Sequence, residues 1–219
     1  MSAIRSSLKS LRHRVAAGYV RRRLQRPTYT LISDDCWAGR LYGEYEMPCT
    51  SPFVSMGFTP CEYITVLELM REPGALDILE VSAHLWGYPI LHTRHARLFG
   101  QHYKTAEDFI RKFERRRRLI DWETLRIKID LGRRKYQPED ITRWNALRLP
   151  NSVAFHPDTP HYREAKIHHG IAVPDWIEDG SHMFQRSCRV FDVIGWLNHG
   201  VPRQSRFAGL VHRLLFDHG

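Results

Sequence analysis

Thr28-Tyr29-Thr30-Leu31-Ile32-Ser33 runs straight into Asp34-Asp35-Cys36-Trp37-Ala38-Gly39. The first six residues alternate or are β-branched and aromatic, which reads as a short strand. Two carboxylates follow, and either can cap the helix predicted over residues 36–44. A strand that ends in polar residues and turns at once into a helix is the repeating unit of an α/β fold.

The same rhythm continues outward. Pro52-Phe53-Val54-Ser55-Met56 reads as the next strand. Pro60 suits the first turn of a helix over 61–71, which Pro73-Gly74 closes. Residues 75–81 and 96–99 read as further strands. Thr105-Ala106-Glu107-Asp108 resembles a capping box, so a helix begins there and runs to about Arg118, with Phe109 and Phe113 inward. Leu125-Arg126-Ile127-Lys128-Ile129 alternates, which predicts a half-buried strand. A helix over 138–147, a buried strand over 152–155, and two helices over 190–198 and 206–216 complete the pattern. The expectation is one α/β domain over 27–219, with a mainly parallel or mixed sheet flanked by helices. Residues 160–219 are less regular. A basic amphipathic helix over 1–26 precedes the domain, with the boundary at 25–27.

Composition narrows the class. Of the 219 residues, 42% are hydrophobic and 11% aromatic, which suits an ordinary core. No apolar run approaches the ~20 residues of a membrane span, and the start lacks the apolar centre of a signal peptide. Cys36, Cys49, Cys61 and Cys188 form no CxxC pair, so neither a zinc pattern nor a disulfide framework is expected, and a reducing cytoplasm is the simplest home.

The net charge of +9 is concentrated. Residues 1–26 hold eight basic and no acidic residues, leaving the body nearly neutral. Ile4, Leu8, Leu11, Val15, Tyr19 and Leu24 recur close to one helical face. Four readings follow: the helix lies on an anionic membrane, packs on the body, binds nucleic acid, or is an organellar transit peptide. The first is preferred, with Arg5, Lys9, Arg12, Arg21, Arg22 and Arg23 as membrane-binding residues, each contributing ~1 kcal/mol at an anionic leaflet. Nucleic acid is not expected as a partner. The localisation expected is the inner face of the plasma membrane, peripherally bound.

The densest chemical motif is the strand-to-helix junction. A thiol that opens a helix feels the positive end of its dipole, which favours thiolate. Asp34 and Asp35 oppose this. A nucleophilic Cys36 needs a base, and His102 occupies the equivalent place between a strand and a capped helix. His156 also follows a predicted strand. Arg111, Arg115 and Arg118 share a helix face and could hold the phosphates of a donor. Neither GxGxxG nor GxxxxGK[ST] is present. His92-x-x-His95 and His168-His169 lack supporting ligands, so no metal is expected.

The ordered set Ile32-Ser33-Asp34-Asp35-Cys36-Trp37-Ala38-Gly39, Thr50-Ser51-Pro52-Phe53-Val54, His102-Tyr103-Lys104 and Arg118-Leu119-Ile120-Asp121-Trp122 resembles a bacterial family of exopolysaccharide or capsule biosynthesis proteins carrying a domain of unknown function. That family typically shows a Ser-Asn-Asn-Cys-Trp-Gly-Gly type motif. Here two Asp replace the two Asn, and Ala38 replaces the first Gly. The resemblance covers about 28–156 and implies an α/β fold and a polysaccharide context. It supplies no mechanism.

Together these readings predict a group transferase, preferably of acyl groups, acting on a surface glycan or its lipid-linked precursor. Cys36 is the expected nucleophile, His102 the base, and Asp35 its orienter or a hydroxyl acceptor. Ser33, Asp34, Trp37, Ser51, Tyr103, Arg111, Arg115, Arg118 and His156 are the expected substrate contacts. No cofactor is identified beyond an activated acyl or sugar donor. The alternative is a non-catalytic, membrane-associated module that binds glycan or partner, with Trp37, Tyr103 and Trp122 lining an open groove.

Overall fold

The computed structural model describes residues 14–133 and 136–216. Arg5, Lys9 and Arg12, and the first half of the predicted N-terminal helix, lie outside the described residues.

A parallel sheet of four strands forms the centre, in the order β1 (Leu31–Ser33), β5 (Arg126–Asp130), β6 (Ser152–Pro157) and β7 (Gly170–Val173). Its faces follow from alternation. Leu31, Val153, Phe155, Ile171 and Val173 pack with α2 (Trp37–Glu44), α7 (Gly180–Cys188) and α8 (Val193–His199). Ile32, Ile127, Ile129 and Ala154 pack with α3 (Pro60–Leu69), α4 (Ala106–Arg117) and α5 (Pro138–Leu147). The result is a helix–sheet–helix sandwich with mixed α/β character.

A second sheet is antiparallel: β2 (Glu80–Ala83), β3 (Pro89–His92) and β4 (Arg97–Phe99). The sequence reading found β4 but missed β3 and β7, and residues 75 and 76 lie in a turn, so that β2 starts only at Glu80. Residues 52–56 are not a strand. The Ser51 hydroxyl accepts the Phe53 amide at 3.2 Å, and Ser55 sits at φ 68°, so the chain turns there while Phe53 is fully buried.

Helix starts obey local chemistry. Thr105 Oγ1 accepts the Asp108 amide at 3.2 Å, opening α4. Gln137 and Asp140 cap each other's backbone at α5, with Pro138 in the first turn. Asp179 caps α7 by accepting the His182 amide at 2.9 Å. The short α6 (Pro160–Glu164) and α7 were absent from the sequence reading, whereas α9 (Arg206–Phe216) was present in full.

The helix over residues 14–23 (α1) packs on the body. Ala16, Ala17 and Val20 are fully buried, while Val15 of the predicted apolar face is exposed. Asn198 of α8 binds the exit of α1: its side chain donates to the Arg23 carbonyl at 2.8 Å and accepts from the Gln25 amide and the Tyr29 hydroxyl. Arg21 pairs with Glu46 at 3.3 Å, and Arg23 lies over the Tyr19 ring. Among the described residues no helix is long and apolar enough to cross a membrane.

Candidate functional site

The C-terminal edge of β1 and β5 opens into a cavity of about 350 Å³. Asp34, Asp35 and Cys36 reach it from the end of β1. Arg133 and Tyr136 come from the chain after β5, Gln101 and His102 from the link between β4 and α4, and Asp179 to Ser181 from the start of α7. Ligands of open α/β sheets gather at this edge because the connecting loops diverge there.

Cys36 occupies the N-cap of α2, in a right-handed helical conformation. Its Sγ lies 3.3 Å from His102 Nε2. The two residues are 66 positions apart in sequence, and the fold brings them into hydrogen-bond contact. Charge works against ionisation of the thiol. Burial raises its pKa, and the carboxylates of Asp35 and Asp179 raise it further, outweighing Lys128 and Arg133. The dipole argument from sequence is therefore overridden, and Asp179 is a contributor that no local pattern announced.

Behind the thiol sits a buried charge cluster. Lys128 Nζ lies 3.1 Å from Asp34, 2.9 Å from Asp35 and 2.7 Å from Asp130. All four side chains are essentially excluded from solvent. Three carboxylates and one ammonium cannot all keep ordinary protonation states. Burial, reinforced by Asp35 and Asp34, pushes Asp130 well above the usual carboxylate range. Burial would raise Asp35 too, but Lys128, a hydrogen bond from Asp130 and Arg133 together hold it at about 2. Asp130 therefore holds a proton more tightly than Asp35. Asp35 Oδ2 and Asp130 Oδ1 are buried cluster oxygens with no hydrogen-bond partner. Asp34 accepts from the Asp130 amide at 3.2 Å and from the Tyr136 hydroxyl at 3.1 Å. Arg133 approaches Asp34 at 3.8 Å with its side chain about a third exposed to the cavity.

The three carboxylates offer ligand oxygens within 4.8 Å of one another, a spacing that could hold a metal ion. The ammonium of Lys128 takes that place, so the protein supplies the cation itself. Asp35 is turned toward Lys128 and accepts the Trp37 amide at 2.9 Å. Its second oxygen lies against Gly180 at the start of α7, so its contacts are with the cluster and the helix starts.

Several expected substrate contacts are structural. Trp37 is fully buried on the inner face of α2 among Phe155, Phe184 and Trp196, and donates to Ser187 Oγ at 2.9 Å. Tyr103 stacks on Phe109 and donates to the Val54 carbonyl. Ser33 donates to the Asp35 carbonyl and holds the turn, while Ser51 turns the chain at Phe53. His156 is buried two strands from Cys36, with Nδ1 at the Pro157 carbonyl and its ring stacked on Tyr162. Arg111, Arg115 and Arg118 are exposed and line no part of the cavity, because Phe109 and Phe113 occupy the inner face of α4. Arg111 pairs with Asp108, and the arginine of that run that reaches inward is Arg116, to the Tyr103 hydroxyl. With Trp37 and Tyr103 buried, the expected groove over Trp37, Tyr103 and Trp122 is not formed.

Sequence reasoning missed Lys128, Asp130, Arg133, Tyr136 and Asp179. One signal was available: Lys128 and Asp130 sit at the end of a strand whose alternate residues are isoleucines.

A family model described as a domain of unknown function (DUF1919) matches residues 8–198. No curated protein matches the chain.

Proposed function

We propose, for a chain that belongs to the DUF1919 family, a cysteine-dependent group transferase that moves an acyl group onto a hydroxyl of a surface glycan or its lipid-linked precursor. The contact of Cys36 Sγ with His102 Nε2, at 3.3 Å in an open polar cavity, carries this reading. The glycan context rests on the family resemblance of the motifs. The chemistry runs in two halves. His102 Nε2 takes the thiol proton as sulfur attacks the acyl carbon, the bond to the leaving group breaks, and a thioester remains on Sγ. The imidazolium protonates the leaving group. An acceptor hydroxyl then attacks the thioester, His102 takes its proton, and the thiol is restored. Arg133, exposed in the cavity, would meet a negative group of the donor. Because the resting thiol is pushed up, ionisation is concerted with attack and depends on His102.

The raised thiol also favours a second reading, a non-catalytic module that binds glycan or partner through the same cavity. Intact-mass measurement after exposure to p-nitrophenyl acetate separates the two. Transfer predicts one acetyl group on Cys36, removable by hydroxylamine and absent in Cys36→Ser. His102→Ala should slow its formation by about 100-fold. If no adduct forms, or if it forms equally fast without His102, the binding module stands instead. The same reading places the chain at an anionic membrane surface through its basic segment 1–26, as a peripheral protein on the cytoplasmic side.

A further inference from the structure

On the face opposite its buried side, α9 carries a continuous apolar stripe. Phe207, Leu210 and Leu214 are 73%, 52% and 65% exposed. They follow the i, i+3, i+7 spacing of one helix face. The rotation of α9 is fixed. Gly209 packs so tightly on the Arg189 carbonyl that no side chain fits between them, and His212 and Phe216 are buried on the same side. The stripe therefore cannot roll inward without undocking the helix.

Arg206 and Arg213 project along one flank of the stripe. On the other flank a groove of about 490 Å³ separates α9 from α1 and α8, with Val211 and Leu215 on one wall and Tyr19 and Arg23 on the other. Beyond it lies α1, from the acid-free segment 1–26. Nearby acidic groups are engaged: Glu46 with Arg21, and Asp192 capping α8 through the Gly195 amide. Three large apolar side chains held outward beside arginines match a helix that lies in a headgroup layer.

We infer that α9 is an interfacial membrane helix. Phe207, Leu210 and Leu214 enter the acyl boundary of an anionic bilayer, and the arginines of α9 and α1 meet lipid phosphates. The inference extends the peripheral-membrane part of the proposed function and is independent of the chemistry at Cys36. It moves the apolar contact from the N-terminal segment to the C-terminal helix, because Ala16, Ala17 and Val20 of α1 are spent on the core.

The test is sedimentation of the full chain with vesicles of phosphatidylglycerol and phosphatidylcholine, compared with phosphatidylcholine alone. The unaltered chain should partition onto the anionic vesicles. Phe207→Asn, Leu210→Asn and Leu214→Asn, combined, should weaken partitioning by about tenfold or more, without loss of folding, since these side chains already face solvent. A second variant, Arg5→Gln, Lys9→Gln and Arg12→Gln, tests the basic-segment reading separately. If it binds normally while the α9 variant does not, the segment reading fails and the α9 inference stands. If the α9 variant binds as tightly as the unaltered chain, the inference is overturned. It is equally overturned if the unaltered chain is a dimer by light scattering that the α9 variant dissolves, because the stripe is then covered by a second copy.

Discussion

β5 carries two buried cations, Arg126 and Lys128, two residues apart and on the same face. Arg126 points to the C-terminal end of α8, where its guanidinium donates to the carbonyls of Trp196 and Leu197 and lies over the Tyr29 ring. A cation at the negative end of a helix satisfies carbonyls the helix leaves open. Its partners are neutral, and it serves to hold the fold. Lys128 points to the starts of α2 and α7, where its partners are three carboxylates at the rear of a cavity. The same strand thus ends one helix with a cation and presents an over-supplied acidic cluster to the edge where chemistry takes place. Buried charge at one position is structural cement. Two residues on, it sets the electrostatics of a candidate site.

The largest test of this difference removes each cation. Lys128→Met leaves the buried carboxylates with only the more distant Arg133 as counter-charge, and should cost about 3–5 kcal/mol in urea unfolding. Arg126→Met strands only neutral carbonyls and should cost about 1–3 kcal/mol. Equal losses would erase the distinction.

Gly180→Ala sharpens it. A Cβ there would lie 2.5 Å from Asp35 Oδ2. The clash has no outlet, because Asp35 is held by Lys128 and the Trp37 amide. A loss of about 1–3 kcal/mol is expected from thermal unfolding. An unchanged melting curve would show the cluster free to shift.

The pH dependence of stability is the next test, and the two carboxylates act in opposite directions. Asp35 is held at about 2 in the fold, below its ordinary 3.8. Its contribution is therefore present above pH 3.8 and lost as pH falls toward 2. Asp130 is raised in the fold, so its contribution is complete below the ordinary carboxylate value and declines as pH rises toward its folded value. Asp130→Asn keeps a donor to Asp35 and removes that titration. Stability measured from pH 4 upward should then decline less than in the unaltered chain, with a difference of about 1 kcal/mol or less at pH 4. An unchanged slope would mean that Asp130 is ionised in the fold.

The smallest effect is expected at the rim. Asp179→Asn preserves the α7 cap but removes one of the charges that raise the Cys36 thiol, after burial and Asp35. Iodoacetamide labelling of Cys36 at neutral pH, with the other three cysteines changed to serine, should quicken by a few-fold. No change would place the thiol beyond the reach of that carboxylate.

What was legible follows the range of the interactions. The β1–α2 junction, α4, α5 and α9 are encoded in caps, prolines and periodicity within a dozen residues, so they could be read directly. The Cys36–His102 pairing is legible because each residue lies between a strand and a helix, although β4, which precedes His102, belongs to the second sheet. The half-buried reading of residues 125–129 failed for an instructive reason. Alternation reports that side chains point to two sides, and is silent on what lies on each. Arg126 and Lys128 look like a solvent face until α8, α2 and α7 arrive over them. The same blindness affected Trp37 and Tyr103, whose aromatic character suits a binding groove and a core equally well.

The amino-acid sequence by itself determined the α/β class, the capped helices, the basic acid-free N-terminal segment and the thiol at a strand-to-helix turn, because each rests on local sterics, capping or composition. Tertiary structure alone decided that Lys128 meets Asp34 and Asp35 from across the chain, that burial, Asp35 and Asp179 raise the Cys36 thiol, that α1 spends its inner face on the core, and that α9 keeps an apolar face outward. Those outcomes depend on which charges and surfaces meet across 60 to 170 positions of chain, and burial sets both the strength of a charge and the fate of an apolar side chain.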